Sequence, residues 1–225
     1  MLSIIIPTLN EEEAIAKVLN SIPEKIKEQS EIIVVDVSTD RTPIIAEKLG
    51  AKVIKLKEKG KGRQMREAVK NSRGEILIFL DGDGTDPPEY IPKLLEELKE
   101  ADLVLGCRNL KKFKEDDIMT REIFGLNRFS LKPLFRLMGL KVKGDPLAGF
   151  RAIRRKDWDK LNLKSNGFEI ETEMNIRAME EGFVIKEVAI PHLKRGGGLK
   201  SSKLMTDWRM WIKILKMALG YLLRR

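Results

Sequence analysis

The sequence predicts an α/β protein with a mainly parallel central sheet covered by helices on both faces. The chain has 225 residues, of which 42% are hydrophobic, enough for one large domain with a substantial core. Over the first hundred residues, short and continuously apolar segments alternate with segments of helical periodicity. Strands that are apolar on both faces are typical of parallel sheets buried beneath helices. Such sheets bind ligands at the carboxyl ends of their strands.

The first half should contain five strands, at 2–6, 32–35, 53–56, 76–80 and 103–105. Helices are predicted between them, at 11–22, 40–49, 62–72 and 88–99. Asn10 is expected to cap the first helix, whose acidic first turn would lie at the positive end of the helix dipole. Asp40 should cap the second helix, which Gly50 ends. The carboxyl ends of these strands therefore carry residues 7–10, Asp36, Asp81 and residues 106–108.

The second half is less regular. Helices are predicted at 122–138, 169–181 and about 202–223, with strands at 150–154 and 183–190. We expect one catalytic domain over residues 1–200 and a basic amphipathic helix over residues 201–225.

The net charge of +9 is concentrated at the C-terminal end. Residues 194–225 contain nine cations and one anion, whereas residues 1–193 contain 34 cations and 33 anions. A basic end suggests a phosphate ligand, an anionic membrane surface or nucleic acid. The single cysteine excludes an intrachain disulfide. The longest apolar-rich stretch, 210–223, is interrupted by two lysines and is shorter than the roughly 20 residues of a spanning helix, so a cytoplasmic or peripheral protein is expected.

Three carboxylates, Asp81, Asp83 and Asp86, follow the fourth predicted strand within six residues. Like charges at this spacing repel unless a cation lies among them. Carboxylate oxygens favour hard cations such as Mg²⁺ or Mn²⁺, and the glycines at 82 and 84 allow close approach of a ligand to the backbone. A metal site is therefore predicted here, the alternative being a solvated acidic turn.

An ordered set of motifs resembles glycosyltransferase family 2, and within it the dolichyl-phosphate mannose synthases and related polyprenyl-phosphate glycosyltransferases. The set includes the Asp-x-Asp pattern at 81–83, the segments 7–11 and 34–36, and further matches over roughly 2–205. The resemblance implies a GT-A fold, Mg²⁺ or Mn²⁺, and a nucleotide-sugar donor such as GDP-mannose or UDP-glucose. It further implies inverting transfer of a hexose to polyprenyl or dolichyl phosphate at the cytoplasmic face of a membrane. No nucleic-acid partner is expected, because the basic tail is apolar on one face and aromatic residues are only 6% of the chain.

The resemblance also assigns roles by position. The nucleotide-sugar pocket would be lined by Pro7, Leu9, Glu11, Val34, Asp36, Asp81, Gly82 and Asp83. Asp83 is expected to bind the metal, with Asp81 as the second ligand. The predicted catalytic set is Asp83, Arg108, Arg195 and Lys203, the three basic residues holding the diphosphate and the acceptor phosphate. Arg108, Asp145 and Glu173 would lie on the acceptor side.

Several alternatives stay open on the sequence alone. A phosphate acceptor needs no general base, because its second pKa of about 6 leaves it anionic at neutral pH. A sugar hydroxyl would need one, and Asp145 could serve, although it could equally cap the turn at Pro146. His192 is interpreted as a packed residue, and Glu169 and Glu171 as residues facing solvent or the helix dipole. A nucleic-acid-binding module and an inactive GT-A scaffold are the remaining rivals.

The last predicted helix carries one apolar face, formed by Leu204, Trp208, Trp211, Ile212, Leu215, Ala218, Leu219 and Leu222. Arg209, Lys213 and Lys216 lie on the opposite face. Tryptophan beside cations is typical of a helix at a lipid surface. A terminal helix packed on its own domain or in a dimer is the alternative.

Overall fold

The computed structural model describes residues 1–108, 132–191, 193–196 and 208–224. Three predicted features lie partly or wholly outside these residues: the first part of the helix at 122–138, His192, and the start of the last helix, with Lys203.

The described strands form one mixed sheet in the order β3-β2-β1-β4-β6-β5-β7. The strands are β1 (Leu2–Thr8), β2 (Ser30–Asp36), β3 (Lys52–Lys55), β4 (Ile76–Phe79), β5 (Leu103–Arg108), β6 (Arg151–Arg154) and β7 (Ile185–Ile190). Neighbouring strands are parallel except at β6, which is antiparallel to both β4 and β5. The predicted mainly parallel α/β fold is confirmed.

Helices cover the two faces of the sheet. They are α1 (Ile15–Asn20), α2 (Glu24–Lys27), α3 (Thr42–Lys48), α4 (Lys61–Lys70), α5 (Ile91–Glu97), α6 (Lys132–Met138), α7 (Arg155–Leu161), α8 (Ile170–Glu180) and α9 (Trp208–Leu222). A 3₁₀ turn, Pro88–Tyr90, precedes α5. The sequence did not predict α2 and α7, which are too short to produce a clear periodic pattern.

The prediction that Asn10 caps the first helix is wrong. Asn10 has a left-handed backbone, with φ of 55°, and α1 begins only at Ile15. The Asn10 side chain instead accepts the amide of Thr39 at 2.9 Å. Its backbone amide donates to Ser38 Oγ at 2.7 Å. Asn10 therefore joins the segment after β1 to the turn after β2, and both segments lie at the carboxyl edge of the sheet.

Each face of the sheet contributes to its own hydrophobic core. Ile5, Val35 and Phe79 point into one cluster, whereas Ile4 and Ile6 point into the other. This alternation within fully buried strands explains why their sequences are continuously apolar.

The last helix, α9, packs against α6 and α8. Its buried side chains, Ile214, Ala218 and Tyr221, belong to the same core as Phe79. Within the described residues, no helix combines the length and the apolar character that crossing a membrane requires.

Candidate active site

The parallel register places the ends of β1, β2, β4 and β5 along one edge. Thr8 is paired with Asp36 in this register, and the Thr8 hydroxyl donates to Asp36 Oδ1 at 2.7 Å. The other Asp36 oxygen accepts the Ser38 amide at 3.0 Å, and the Ser38 hydroxyl donates to Oδ1 at 2.5 Å. Gln64 of α4 donates to the carbonyls of Thr8 and Val35. The buried Asp36 therefore closes a turn that is itself fixed to the sheet.

The residues predicted to line the nucleoside pocket differ in how deeply they are buried. Pro7 and Leu9 are partly exposed at the end of β1, and Glu11 is buried beside α3, where its amide donates to Thr42 Oγ1. Val34, in contrast, is fully buried in a hydrophobic core and paired with Ile6 inside the sheet.

The acidic loop at 81–86 contains three carboxylates, and each is paired with a different basic side chain from another part of the chain. The sequence predicted that a cation must separate these charges. Protein cations do so in the structure, and the three carboxylates do not converge on one point.

Asp81 is anchored by a buried lysine. Lys61 Nζ, at the start of α4, lies 2.6 Å from Asp81 Oδ1 and 2.6 Å from Glu171 Oε1 of α8. Burial by itself raises the pKa of Asp81, but the charge of Lys61 holds it below its ordinary value. Gly149 is required beside this pair, because a Cβ there would lie 2.7 Å from Asp81 Oδ2 and 2.8 Å from Lys61 Nζ.

Asp83 is paired with Arg195, which follows β7. Arg195 Nη2 lies 2.6 Å from Asp83 Oδ2, and Asp83 is almost fully buried. The other oxygen, Oδ1, accepts the amide of Thr85 at 2.9 Å and its hydroxyl at 2.7 Å. The backbone of the same segment is also attached, since the Gly196 amide donates to the Asp83 carbonyl at 2.9 Å and the Leu193 amide to the Thr85 carbonyl at 3.2 Å.

Asp86 is paired with Arg108 at the end of β5, at 3.1 Å. The same nitrogen of Arg108 lies 3.2 Å from Thr85 Oγ1. Burial raises the pKa of Asp86 to about 6, although Arg108 opposes the rise. Arg108 Nε is buried without a hydrogen-bond partner among the described residues. An orphaned buried donor of this kind calls for an acceptor, and phosphate oxygens are suitable acceptors.

The two residues predicted on the acceptor side have defined local contacts. Asp145 Oδ1 accepts the Leu147 amide at 2.9 Å, which is the turn-capping geometry that the sequence left as an alternative. Glu173 accepts the amides of Lys164 and Ser165 at 2.7–3.0 Å. Both Glu173 oxygens therefore hold the loop that precedes α8.

The interpretation of Glu169 and Glu171 as residues facing solvent is wrong, because both are buried, although Glu171 does lie in the first turn of α8. Burial raises the pKa of Glu171 even though Lys61 pairs with it. The further matches of the family resemblance include Gly60-Lys61-Gly62 and Glu169–Met174, so both members of this pair lie in matching segments. The periodic pattern of α8 does not itself distinguish Glu171 from an exposed glutamate.

Arg151 was also missed as a structural residue, although its side chain is fully buried. It donates to the carbonyls of Ala148 and Pro146 and to the side chain of Asn175. The segment that carries Asp145 is thereby fixed to α8.

One or two carboxylates of the acidic loop would suffice for a divalent cation that is shared with a substrate. Residues 1–108, 132–191, 193–196 and 208–224 contain no group of three or more His, Cys, Asp or Glu side chains arranged as a metal site. Mg²⁺ commonly uses one or two protein carboxylates and completes its shell with substrate phosphates. Asp83 Oδ2 lies 2.6 Å from a cationic group in the structure, the guanidinium of Arg195.

The fold is that of an α/β protein with its acidic loop at the carboxyl edge of the parallel strands, the edge at which such sheets generally bind ligands. The sequence profile of the family described as Glycosyl transferase family 2 matches residues 3–161, and the chain belongs to that family.

Two curated relatives illustrate the range of lengths within the family. A dolichyl-phosphate hexose transferase of Haloferax volcanii is 34% identical over 224 residues, which cover 99% of this chain and 96% of the relative. A dolichol-phosphate mannosyltransferase of Pyrococcus furiosus is 30% identical over 203 residues, 84% of this chain but only 55% of the relative. The chain therefore spans about half the length of the second relative.

Solved structures with the same fold include glucosyl-3-phosphoglycerate synthase of Mycobacterium tuberculosis in complex with Mn²⁺, UDP and phosphoglyceric acid. The TM-score is 0.76 at 22% identity, and the match covers 98% of this chain and 78% of that chain. The predicted GT-A fold is confirmed by this likeness.

Proposed function

We propose that this chain transfers a hexose from a nucleotide sugar to polyprenyl or dolichyl phosphate, with inversion at the anomeric carbon. The observation that carries the proposal is the match, along nearly the whole of both chains, to a relative named a dolichyl-phosphate hexose transferase. The acidic loop and its cations supply the charges that such a reaction needs.

The nucleoside of the donor would lie at the ends of β1 and β2, between Pro7, Leu9 and Glu11 on one side and Asp36 on the other. Asp81 and Gly82 would meet the ribose and the diphosphate. Val34 would contribute through the sheet that supports this pocket, since its side chain is in the core. Whether the base is guanine or uracil depends on the turn at 36–40, which is closed by Asp36 and Ser38.

In the proposed reaction, an oxygen of the acceptor phosphate forms a bond to the anomeric carbon. The bond from that carbon to the donor phosphate oxygen breaks, and its electron pair leaves with the nucleoside diphosphate. A single displacement of this kind inverts the configuration. Arg108 and Arg195 would bind the phosphates, with Lys203 as a third cation, and the unpartnered Nε of Arg108 supports its role as a donor.

Asp83 would hold Mg²⁺ or Mn²⁺, with Asp81 as the second candidate ligand. The metal would neutralise negative charge on the departing diphosphate. Asp83 is the better ligand, because its partner Arg195 is more exposed than Lys61, which holds Asp81 together with Glu171.

A phosphate acceptor is favoured over a sugar hydroxyl by the contacts of Asp145. A hydroxyl acceptor requires a general base, and Asp145 uses one carboxylate oxygen to cap its own turn. An anionic phosphate needs cations, which the site provides. Glu173 would then support the acceptor side indirectly, by holding the loop at 164–165 in place.

The membrane is the proposed location of the acceptor. Besides its buried face, α9 exposes the apolar side chains Ile212, Leu215 and Leu219, and Leu223 just after the helix and Leu137 of the adjacent α6 are also exposed. Neither helix contains an acidic residue, and α9 contains Arg209, Lys213 and Lys216. Apolar side chains beside cations are suited to the surface of an anionic bilayer, where each cation adds about 1 kcal/mol of attraction.

Replacement of Asp83 tests the catalytic proposal. We expect Asp83→Asn to reduce hexose transfer at least about 100-fold, because a developing anionic leaving group loses its electrostatic stabilisation. Transfer of labelled mannose or glucose from GDP- or UDP-sugars to polyprenyl phosphate in detergent, with Mn²⁺ or Mg²⁺, is the measurement. Asp159→Asn removes an exposed carboxylate elsewhere and should leave the rate unchanged. Full activity of Asp83→Asn would refute the assignment.

The membrane surface is tested with a double variant, Leu215→Ser with Leu219→Ser. Its co-sedimentation with vesicles containing anionic phospholipid should fall, because less apolar surface enters the interface. Ile44→Ser, which alters an exposed apolar residue on α3, is the matched control and should sediment like the wild type. Equal sedimentation of all three proteins would contradict the proposed surface.

A further inference from the structure

Arg195 and Asp83 form an ion pair at the place where the proposed function requires a metal. The carboxylate is 9% exposed and the guanidinium 25% exposed. The amide and the hydroxyl of Thr85 both donate to Asp83 Oδ1. Oδ2, the oxygen that Arg195 binds, is therefore the one left for another ligand.

We propose that Arg195 and a divalent cation bind Asp83 Oδ2 in turn, so that Arg195 sets the metal affinity of the site. The proposal rests on the metal-dependent function above. A metal ion bound to this oxygen would be repelled strongly by a guanidinium 2.6 Å from the same oxygen, because the site is nearly buried. The two cations therefore compete for the carboxylate.

The backbone contacts around Arg195 allow its side chain to move away from Asp83 while the backbone stays in place. Leu193 and Gly196, on either side of it, donate to the carbonyls of Thr85 and Asp83 and do not involve the guanidinium. Gly196 also lies directly against Ala14, where an added Cβ would overlap. Rotation of the long arginine side chain can break the ion pair while residues 193–196 stay attached to the acidic loop.

The other two ion pairs of the loop differ from this one. Lys61 is held between two carboxylates and is 9% exposed, so its removal would leave the buried Glu171 and the partly exposed Asp81 without their shared counter-ion. Arg108 belongs to a strand of the sheet and pairs with Asp86, which is 1% exposed. Arg195 is the most exposed of the three basic side chains and lies outside the sheet.

Displacement would also place Arg195 where it is needed. The neighbouring amides of Leu193 and Gly196 stay hydrogen-bonded to the loop that is proposed to bind the diphosphate, so the released guanidinium can pair with a phosphate oxygen. One positive charge would move from the carboxylate to the phosphates as the donor and the metal bind. Metal and nucleotide should therefore bind cooperatively, and Arg195 should carry part of that coupling.

Mn²⁺ binding, measured from the free-ion signal in electron paramagnetic resonance, tests the exchange without any turnover. Arg195→Gln should bind Mn²⁺ about tenfold or more tightly than the wild type in the absence of nucleotide, because close charge pairs couple that strongly. Lys194→Gln removes a charge of the same sign from the neighbouring exposed position and should change the affinity less than about twofold, since exposed charges are screened. Arg195→Lys, which keeps the charge, should stay near the wild type.

The same titration with UDP or GDP completes the test. Nucleotide should tighten Mn²⁺ binding to the wild type more than to Arg195→Gln. Equal Mn²⁺ affinities of Arg195→Gln and Lys194→Gln, or weaker binding by Arg195→Gln, would overturn the exchange and leave the metal-dependent function standing. No Mn²⁺ binding by any variant, with or without nucleotide, would overturn the metal site and the exchange together.

Discussion

Asp83 differs from its neighbours because its partner can be exchanged, whereas Asp81 and Asp86 have partners fixed inside the fold. All three carboxylates were found from the sequence, since three acidic residues after a buried strand form an unusual pattern. Their partners were harder to predict. Lys61, Arg108 and Arg195 lie far from the loop in the chain, and only folding brings them together.

Glu173 illustrates a residue whose position follows from the sequence but whose contacts do not. The family resemblance placed it on the acceptor side, and in the structure its carboxylate holds the amides of Lys164 and Ser165. A helical glutamate that binds backbone amides of a preceding loop has no local sequence signature, because the loop conformation is set by packing.

Substitution of Glu173 should therefore affect stability. Glu173→Gln retains one acceptor oxygen and turns an NH₂ group toward a backbone amide, which should cost about 1–3 kcal/mol of unfolding free energy. Urea denaturation followed by circular dichroism measures the change. Glu180→Gln alters a glutamate of the same helix that pairs with Arg177 at the surface, and it should be nearly neutral. Equal effects of the two substitutions would show that the amide contacts do not stabilise the loop.

Among the secondary-structure elements, α4 and α8 form a buried electrostatic connection behind the acidic loop. The N-terminus of α4 approaches the loop before α8 so closely that a Cβ at Gly60 or Gly62 would overlap the carbonyls of Asn166 and Ser165. Lys61, between these glycines, reaches both Asp81 and Glu171. The glycines therefore allow the contact between helix and loop that buries the lysine.

Removing this lysine should destabilise the protein more than a surface lysine does. Lys61→Met leaves the buried Glu171 and the partly exposed Asp81 without their shared counter-ion, and breaking the buried pair with Glu171 should cost about 3–5 kcal/mol. Lys70→Met, at the other end of α4, removes an exposed lysine that pairs with Glu67 at the surface, and little change is expected. Chemical denaturation of both variants measures the difference. Similar midpoints for Lys61→Met and Lys70→Met would mean that the buried pair is not stabilising.

The last helix shows how periodicity can predict an element without assigning its faces. Its helical spacing was clear from the sequence, and the helix is present over Trp208–Leu222. The predicted apolar face is divided in the structure, because Ala218 is buried against the core and Leu215 and Leu219 are exposed. A helix with apolar residues around most of its circumference can pack on its domain and still present an apolar stripe.

Over the whole molecule, the net positive charge is unevenly distributed along the chain. The near-neutral body encloses its carboxylates with matched cations, and the surplus of positive charge lies in the C-terminal residues. The sequence predicted the parallel order because apolar strands alternate with helices. It did not predict the antiparallel β6, since strand direction within a sheet depends on connections that leave no local pattern.

The proposed acceptor chemistry is tested most directly by a comparison of polyprenyl phosphate with the corresponding polyprenol. The two lipids share their hydrocarbon chain and differ in the phosphate that Arg108 and Arg195 are proposed to bind. With the preferred labelled nucleotide sugar and Mn²⁺, we expect hexose to appear on the phosphate and the alcohol to accept less than about 1% as much, because the site supplies cations rather than a free base. Equal transfer to the polyprenol, or no transfer to polyprenyl phosphate from any donor, would contradict the proposed function.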